Sequence, residues 1–156
     1  MKIAINLLQL PPGRVEGVVT YAKKLIENLP AYLDGDELVL LRQPGLDLGE
    51  LDPGITVIEL QPPSFIARVT NKLMTISRLR VTSSHARQLT KTLDRHNVDI
   101  VHYLLSTIPA TDFALKFPLV LSFMDMQHEF QPENFSANEL VQRRTTFRPS
   151  AERADK

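Results

Sequence analysis

The chain has 156 residues, 43% of them hydrophobic, with 18 Lys and Arg against 18 Asp and Glu. That length and apolar content suffice for one domain with its own core, and they exclude a disordered tail. With no cysteine and only four histidines there is no disulfide framework and no zinc-ligand pattern, and no apolar run approaches the roughly 18 to 20 residues of a membrane span.

A reducing cytoplasm fits a chain without cysteine, and nothing in the sequence points to nucleic acid. The zero net charge hides an asymmetry. Between Asp34 and Glu59 seven acids face the single base Arg42, whereas between Phe65 and His96 Arg68, Lys72, Arg78, Arg80, Arg87, Lys91 and Arg95 face only Asp94. Such a split marks a surface suited to anionic lipid or phosphate, or simply a solvated helix face.

In chain order, Ile3 to Leu8 is a near-continuous apolar run, as a central parallel strand should be. Pro11-Pro12-Gly13 then bars regular structure, and Gly17 opens a helical pattern in which Val18, Ala22, Leu25, Ile26 and Leu29 recur. A helix start beside a glycine offers free N–H groups and a positive dipole end to a phosphate, with Arg14 close by. The plainer reading makes Gly17 a turn residue and Arg14 a solvated one. Glu37 to Leu41 and Ile55 to Leu60 read as the second and third strands. Ser64 caps a helix carrying Ile66, Val69, Leu73, Ile76 and Leu79, a bend is expected near Val81 to Ser84, and a further helix carries Ala86, Leu89 and Leu93.

Asp99 to Tyr103 is the fourth strand, Pro109 to Lys116 a short helix, and Leu119 to Phe123 a fifth strand of the kind buried on both faces. The chain then turns polar. Asp125, Gln127, His128 and Glu129 arrive before Pro132 and a Ser136-x-x-Glu139 capping box, which starts a last helix interrupted at Pro149. Strands alternating with helices predict an α/β fold: one Rossmann-like, doubly wound, mostly parallel sheet with helices on both faces, spanning 1–156. Ligands of such sheets sit beyond the carboxyl ends of the strands, which puts a candidate site at Asp125 and His128; the plainer alternative is that Asp125 caps a turn and His128 hydrogen-bonds the loop backbone.

Three segments, NLLQLPPGRVEGVVTYAKKLIENL, VDIVHYLLSTIPA and PLVLSFMDMQHEFQPENFSANELVQRRTTFRPSAERADK, together resemble the N-terminal half of retaining family-4 glycosyltransferases of the GT-B fold. The family's first-strand loop, usually Gly-Gly, lies near the donor diphosphate. Gly17 matches the second glycine and Glu16 stands at the first. The family's strand-end motif reads like Thr-Ile-His-Asp-Leu; here Ser122-Phe123-Met124-Asp125-Met126 keeps the acid at Asp125 and puts Met124 at the histidine. His102 falls in the family's Asp-x-Val-His segment.

The resemblance implies a nucleotide-sugar donor, a glycan or lipid-linked acceptor, and polysaccharide or cell-envelope synthesis, with catalytic candidates Asp125 and His128 and donor-side candidates Gly17 and Arg14. It implies no metal and no cofactor beyond the donor substrate. It also implies a C-terminal donor-binding domain not contained in this chain, and a cytoplasmic protein resting peripherally on the inner face of the membrane. Two other readings stay open: a stand-alone, non-catalytic binding module derived from such an enzyme, and a nucleotide-binding α/β domain unrelated to sugar transfer. The last explains the first loop but not the two later motifs.

Overall fold

The computed structural model describes residues 1–13, 17–61 and 84–155. Within them run β1 (Lys2–Asn6), α1 (Gly17–Asn28), β2 (Glu37–Arg42), β3 (Thr56–Glu59), α2 (Ser84–Arg95), β4 (Ile100–Tyr103), β5 (Leu119–Leu121), the one-turn α3 (Gln127–Phe130) and α4 (Ala137–Arg153). Short 3-10 turns occupy Leu29–Tyr32, Ala110–Ala114 and Pro132–Asn134. Arg14, Glu16, the helix expected from Ser64 to Leu79 with its bend up to Ser83, and the basic residues Arg68, Lys72, Arg78 and Arg80 lie outside the described residues.

The sheet is parallel throughout, in the order β3-β2-β1-β4-β5, which is the doubly wound α/β arrangement expected from the alternating pattern. Side-chain alternation splits the core between its two faces. On one face Ile5, Leu38 and Leu40 pack with Val19, Ala22 and Ile26 of α1. On the other, Ala4, Val39, Leu41, Val101, Tyr103 and Leu119 pack with Leu89 and Leu93 of α2. Leu89 and Leu93 are fully buried, so each contributes about 1.5 to 3 kcal/mol through the water it leaves. That explains why α2 holds its place although the rest of its surface is polar.

Three expectations are corrected. The first concerns β5: the apolar run Leu119 to Phe123 predicts a central strand buried on both faces, whereas the strand spans Leu119–Leu121 and lies at the edge of the sheet formed by the described residues, with Val120 and Leu121 only half buried. Its pairing nonetheless extends one residue further, since the Ser122 amide donates to the Tyr103 carbonyl at 2.9 Å. Second, β1 ends at Asn6 and not at Leu8, because the Asn6 side-chain oxygen accepts the Leu8 amide at 3.0 Å and turns the chain.

The third correction is that α4 runs unbroken through Pro149. A proline inside a helix costs about 3 kcal/mol. Here the following turn is tied down from outside. Ser150 is fully buried, its hydroxyl accepts the Ile108 amide at 2.8 Å, and the Arg153 guanidinium donates to the carbonyls of Phe113 (2.9 Å) and Leu115 (2.6 Å). At the other end the expected capping box forms: the Ser136 amide donates to Glu139 Oε2 at 2.9 Å and the Glu139 amide to Ser136 Oγ at 3.3 Å.

Candidate functional site

Strand order reverses direction between β1 and β4, so the carboxyl ends of these two strands flank the crevice where doubly wound sheets take ligands. Gln9, in the loop after β1, spans it. Its amide donates to the Thr107 carbonyl at 2.9 Å and its oxygen accepts the Thr107 hydroxyl at 3.1 Å, which locks the β1 and β4 loops together. A second glutamine, Gln43, holds the same loop from the β2 side by donating to the Leu8 carbonyl at 2.7 Å.

Beneath the crevice lies a buried polar network. The Tyr103 hydroxyl donates to Asp112 Oδ2 at 2.8 Å, the Thr111 hydroxyl donates to Asp112 Oδ1 at 2.9 Å, and His85 Nε2 stands 4.0 Å from the same oxygen. Burial pushes the Asp112 carboxyl up, against the opposing pull of His85 and the two hydroxyls, and burial holds the Tyr103 phenol well above its ordinary value of 10.0. Neither group reaches solvent, so the network braces the floor of the crevice and carries out no chemistry there.

Gly17 sits at the exposed start of α1, and a Cβ built on it would meet nothing within 4 Å. Among the described residues nothing covers this position on the α1 side of the sheet, and its backbone conformation does not demand glycine. On the far side, Asp125 follows β5. Its Oδ1 accepts the Gln127 amide at 2.6 Å and its Oδ2 accepts Arg143 Nη1 at 2.9 Å, and these partners, the Gln127 amide first, hold its carboxyl below the usual carboxylate range. His128 is buried. Its Nε2 lies 3.3 Å from Glu129, its ring meets Phe147 edge-on at 5.0 Å, and its Nδ1 has no hydrogen-bond partner among the described residues.

The structure thus brings Asp125 and His128 together under the N-terminal half of α4 and leaves Gly17 with α1 across the sheet. Asp125 is arranged as a turn cap and ion-pair partner, which is a positioning task. Met124 stays 39% exposed at the crevice, held by its amide donating to Ser106 Oγ at 2.9 Å. On the α1 side of the sheet, His102 Nε2 lies 2.8 Å from Ser122 Oγ, and burial lowers the pKa of this half-buried imidazole. A neutral ring paired with a strand-end hydroxyl can accept a proton, so His102 is better placed for proton handling than His128.

From the sequence, His102 reads as a packed strand-end residue rather than a catalyst, although its edge of the sheet faces the same crevice, and Gln9, Ser122 and Arg143 carry no site role. The signal for Arg143 lay in Phe135, Arg143 and Phe147, spaced so that one guanidinium sits 4.4 Å from the first ring and 5.5 Å from the second. Between the β4 loop and α4 opens a cleft of about 440 Å³, lined on one side by Ile108, Pro109 and Phe113 and on the other by Gln142, Arg143 and Phe147. Among the described residues no helix is long and apolar enough to cross a membrane. Comparison with family models, with curated proteins and with solved structures finds no match to this chain.

Proposed function

We propose that this chain is the acceptor-side domain of a glycosyltransferase, working with a second domain that carries the nucleotide-sugar donor. The observation that carries the reading is topological. The three segments that resemble the retaining GT-B enzymes are far apart in sequence, yet each begins on or leaves one of the adjacent parallel strands β1, β4 and β5 at the same carboxyl edge. Two of those strands flank the crevice of the strand-order reversal, where a bound substrate meets loop backbone and the start of α1. In this reading Gly17 faces the donor diphosphate, Asp125 fixes Arg143, and the His102–Ser122 pair stands nearest to an acceptor hydroxyl. The enzyme works in the cytoplasm against the inner membrane face, where a lipid-linked acceptor is presented.

A non-catalytic module is favoured by one specific observation, that Met124 places a thioether with no proton to give where the related enzymes keep histidine. A transfer assay separates the two readings. The whole gene product is incubated with uridine and guanosine diphosphate sugars and with oligosaccharide or polyprenyl-phosphate-linked acceptors. Transfer that keeps the anomeric configuration and falls at least tenfold in a His102→Ala variant supports the enzyme. No transfer from any donor leaves the module.

A further inference from the structure

The cleft between the β4 loop and α4 opens on the side of the sheet away from α1, so neither the helix N-terminus nor the His102–Ser122 pair makes use of it. Its two walls differ in kind. One is largely apolar: Ile108, Pro109, Ala110 and the half-buried ring of Phe113, next to Thr107, whose hydroxyl is already given to Gln9. The other is a helix face on which Glu139, Gln142 and Arg143 stand three and four residues apart, and therefore side by side.

Each of these polar groups keeps unused hydrogen-bonding capacity. Glu139 commits Oε2 to the Ser136 amide and hydroxyl and leaves Oε1 as an acceptor. Gln142 makes no side-chain hydrogen bond among the described residues, so its amide offers both a donor and an acceptor. The Arg143 guanidinium spends Nη1 on Asp125 and makes no other hydrogen bond among the described residues, while Phe135, Phe147 and Asp125 together hold its plane in place. Acceptor, mixed group and donor thus line up opposite an apolar wall, in a cleft within the size range of small-molecule sites.

We infer that this cleft binds a neutral pyranose ring of a glycan. Such a ring presents C–H groups on one face, matching Pro109 and Phe113, and adjacent hydroxyls along its edge, each needing a donor and an acceptor, matching the α4 wall. Charge decides against an anion. The lining carries one acid, Glu139, and one base, Arg143, and Asp125 just outside it already pairs with Arg143 at 2.9 Å, so these three side chains leave one excess negative charge and a phosphate or carboxylate would meet repulsion. The inference deepens the transfer reading by saying where an acceptor glycan lies, yet its evidence is the lining of the cleft, so either can fail without the other.

The test is a titration of the isotope-labelled chain followed by backbone amide shifts, using methyl α-glucoside, methyl α-mannoside, N-acetylglucosamine and lactose, with sodium phosphate as the anionic arm. At least one sugar is expected to bind with a dissociation constant of about 1 mM, moving the amides of Thr145, Thr146 and Phe147. Gln142→Ala, on an exposed side chain, should weaken that binding about tenfold. Arg148→Ala, which lies outside the cleft and pairs with Glu152, should leave it unchanged. Four results overturn the inference: no shift with any sugar, shifts confined to the start of α1, cleft amides that respond to phosphate and not to sugars, or unaltered affinity in Gln142→Ala. Transfer by the whole gene product without cleft binding would remove this site and keep the enzyme; cleft binding without transfer would do the reverse.

Discussion

Asp112→Ala tests whether the network under the crevice holds the domain together. The substitution deletes the acceptor of two buried hydroxyls, Tyr103 Oη at 2.8 Å and Thr111 Oγ1 at 2.9 Å. A buried donor left without a partner costs about 1 to 3 kcal/mol, so two cost about 2 to 6, and relief of the carboxylate's own burial offsets part of that. We expect a loss of about 3 kcal/mol in urea unfolding followed by circular dichroism, equivalent to about 6 to 12 °C in melting temperature for a chain of this size. Asp112→Asn keeps the shape and one acceptor, and should lose only about 1 kcal/mol. Tyr103→Phe combined with Asp112→Ala removes both partners, so the double variant should be less destabilised than the sum of the two single ones. The pH dependence has a definite sign. Because burial raises the folded carboxyl, its contribution is fully present below the unfolded value of about 3.9 and is lost as pH rises through the folded value, while His85 opposes the loss. The difference between wild type and Asp112→Asn should therefore shift against wild type as pH rises from the acid side, then level off. Additive effects in the double variant, or less than about 1 kcal/mol for Asp112→Ala, would refute the bracing role.

Ser150→Ala should cost about 1 to 3 kcal/mol, because it leaves the buried Ile108 amide unpaired in the turn that offsets Pro149; a neutral result by urea unfolding would mean that α4 is held by Arg153 alone. Ser136→Ala should lower stability by about 1 kcal/mol through loss of the cap, and Ser136→Asp should restore most of it, both read by thermal melting. On α2 the exposed side chains Arg87, Lys91 and Arg95 should make the chain co-sediment with phosphatidylserine vesicles at low salt at about 1 kcal/mol per well-placed charge, with equal binding to neutral vesicles counting against the membrane role. If the chain works with a second, donor-binding domain as proposed, then alone it should show no sugar transfer and no micromolar affinity for uridine or guanosine diphosphate sugars by calorimetry, since one wall of a cleft neither holds donor against acceptor nor excludes water.

The fold was legible because the physics that sets it is local and periodic. Runs such as Leu38 to Leu41 have no polar face and must lie inside a sheet, while α2 shows its buried Ala86, Leu89 and Leu93 at helical spacing. The misjudged details depend on partners distant in sequence. Whether β5 has one neighbour or two is decided by where the chain goes next, and a five-residue apolar run looks the same in both cases. Pro149 reads locally as a break, and the bonds of Ser150 and Arg153 to residues about 40 positions earlier hold the turn beyond it in place.

The candidate site was legible as a place but not as an arrangement. Asp125 and His128 follow a strand, and strand ends are where sites form, so the sequence was enough to direct attention there. It could not show that Asp125 would be taken up by the Gln127 amide and Arg143, nor that His128 would be buried edge-on to Phe147, because those partners sit up to 19 residues further on in α4. His102 shows the same limit from the other side. Alone it is a histidine in an apolar strand, and its chemistry comes from Ser122, which parallel pairing of β4 with β5 brings to 2.8 Å. Burial then favours the uncharged imidazole, the form able to take a proton from a neighbouring hydroxyl. Where the glycosyltransferases that its motifs resemble would place a histidine, this chain has exposed Met124, and one strand away it has a histidine already hydrogen-bonded to a hydroxyl. A proton acceptor on β4 in place of one after β5 would act from the α1 side of the sheet, which is also the side on which Gly17 sits.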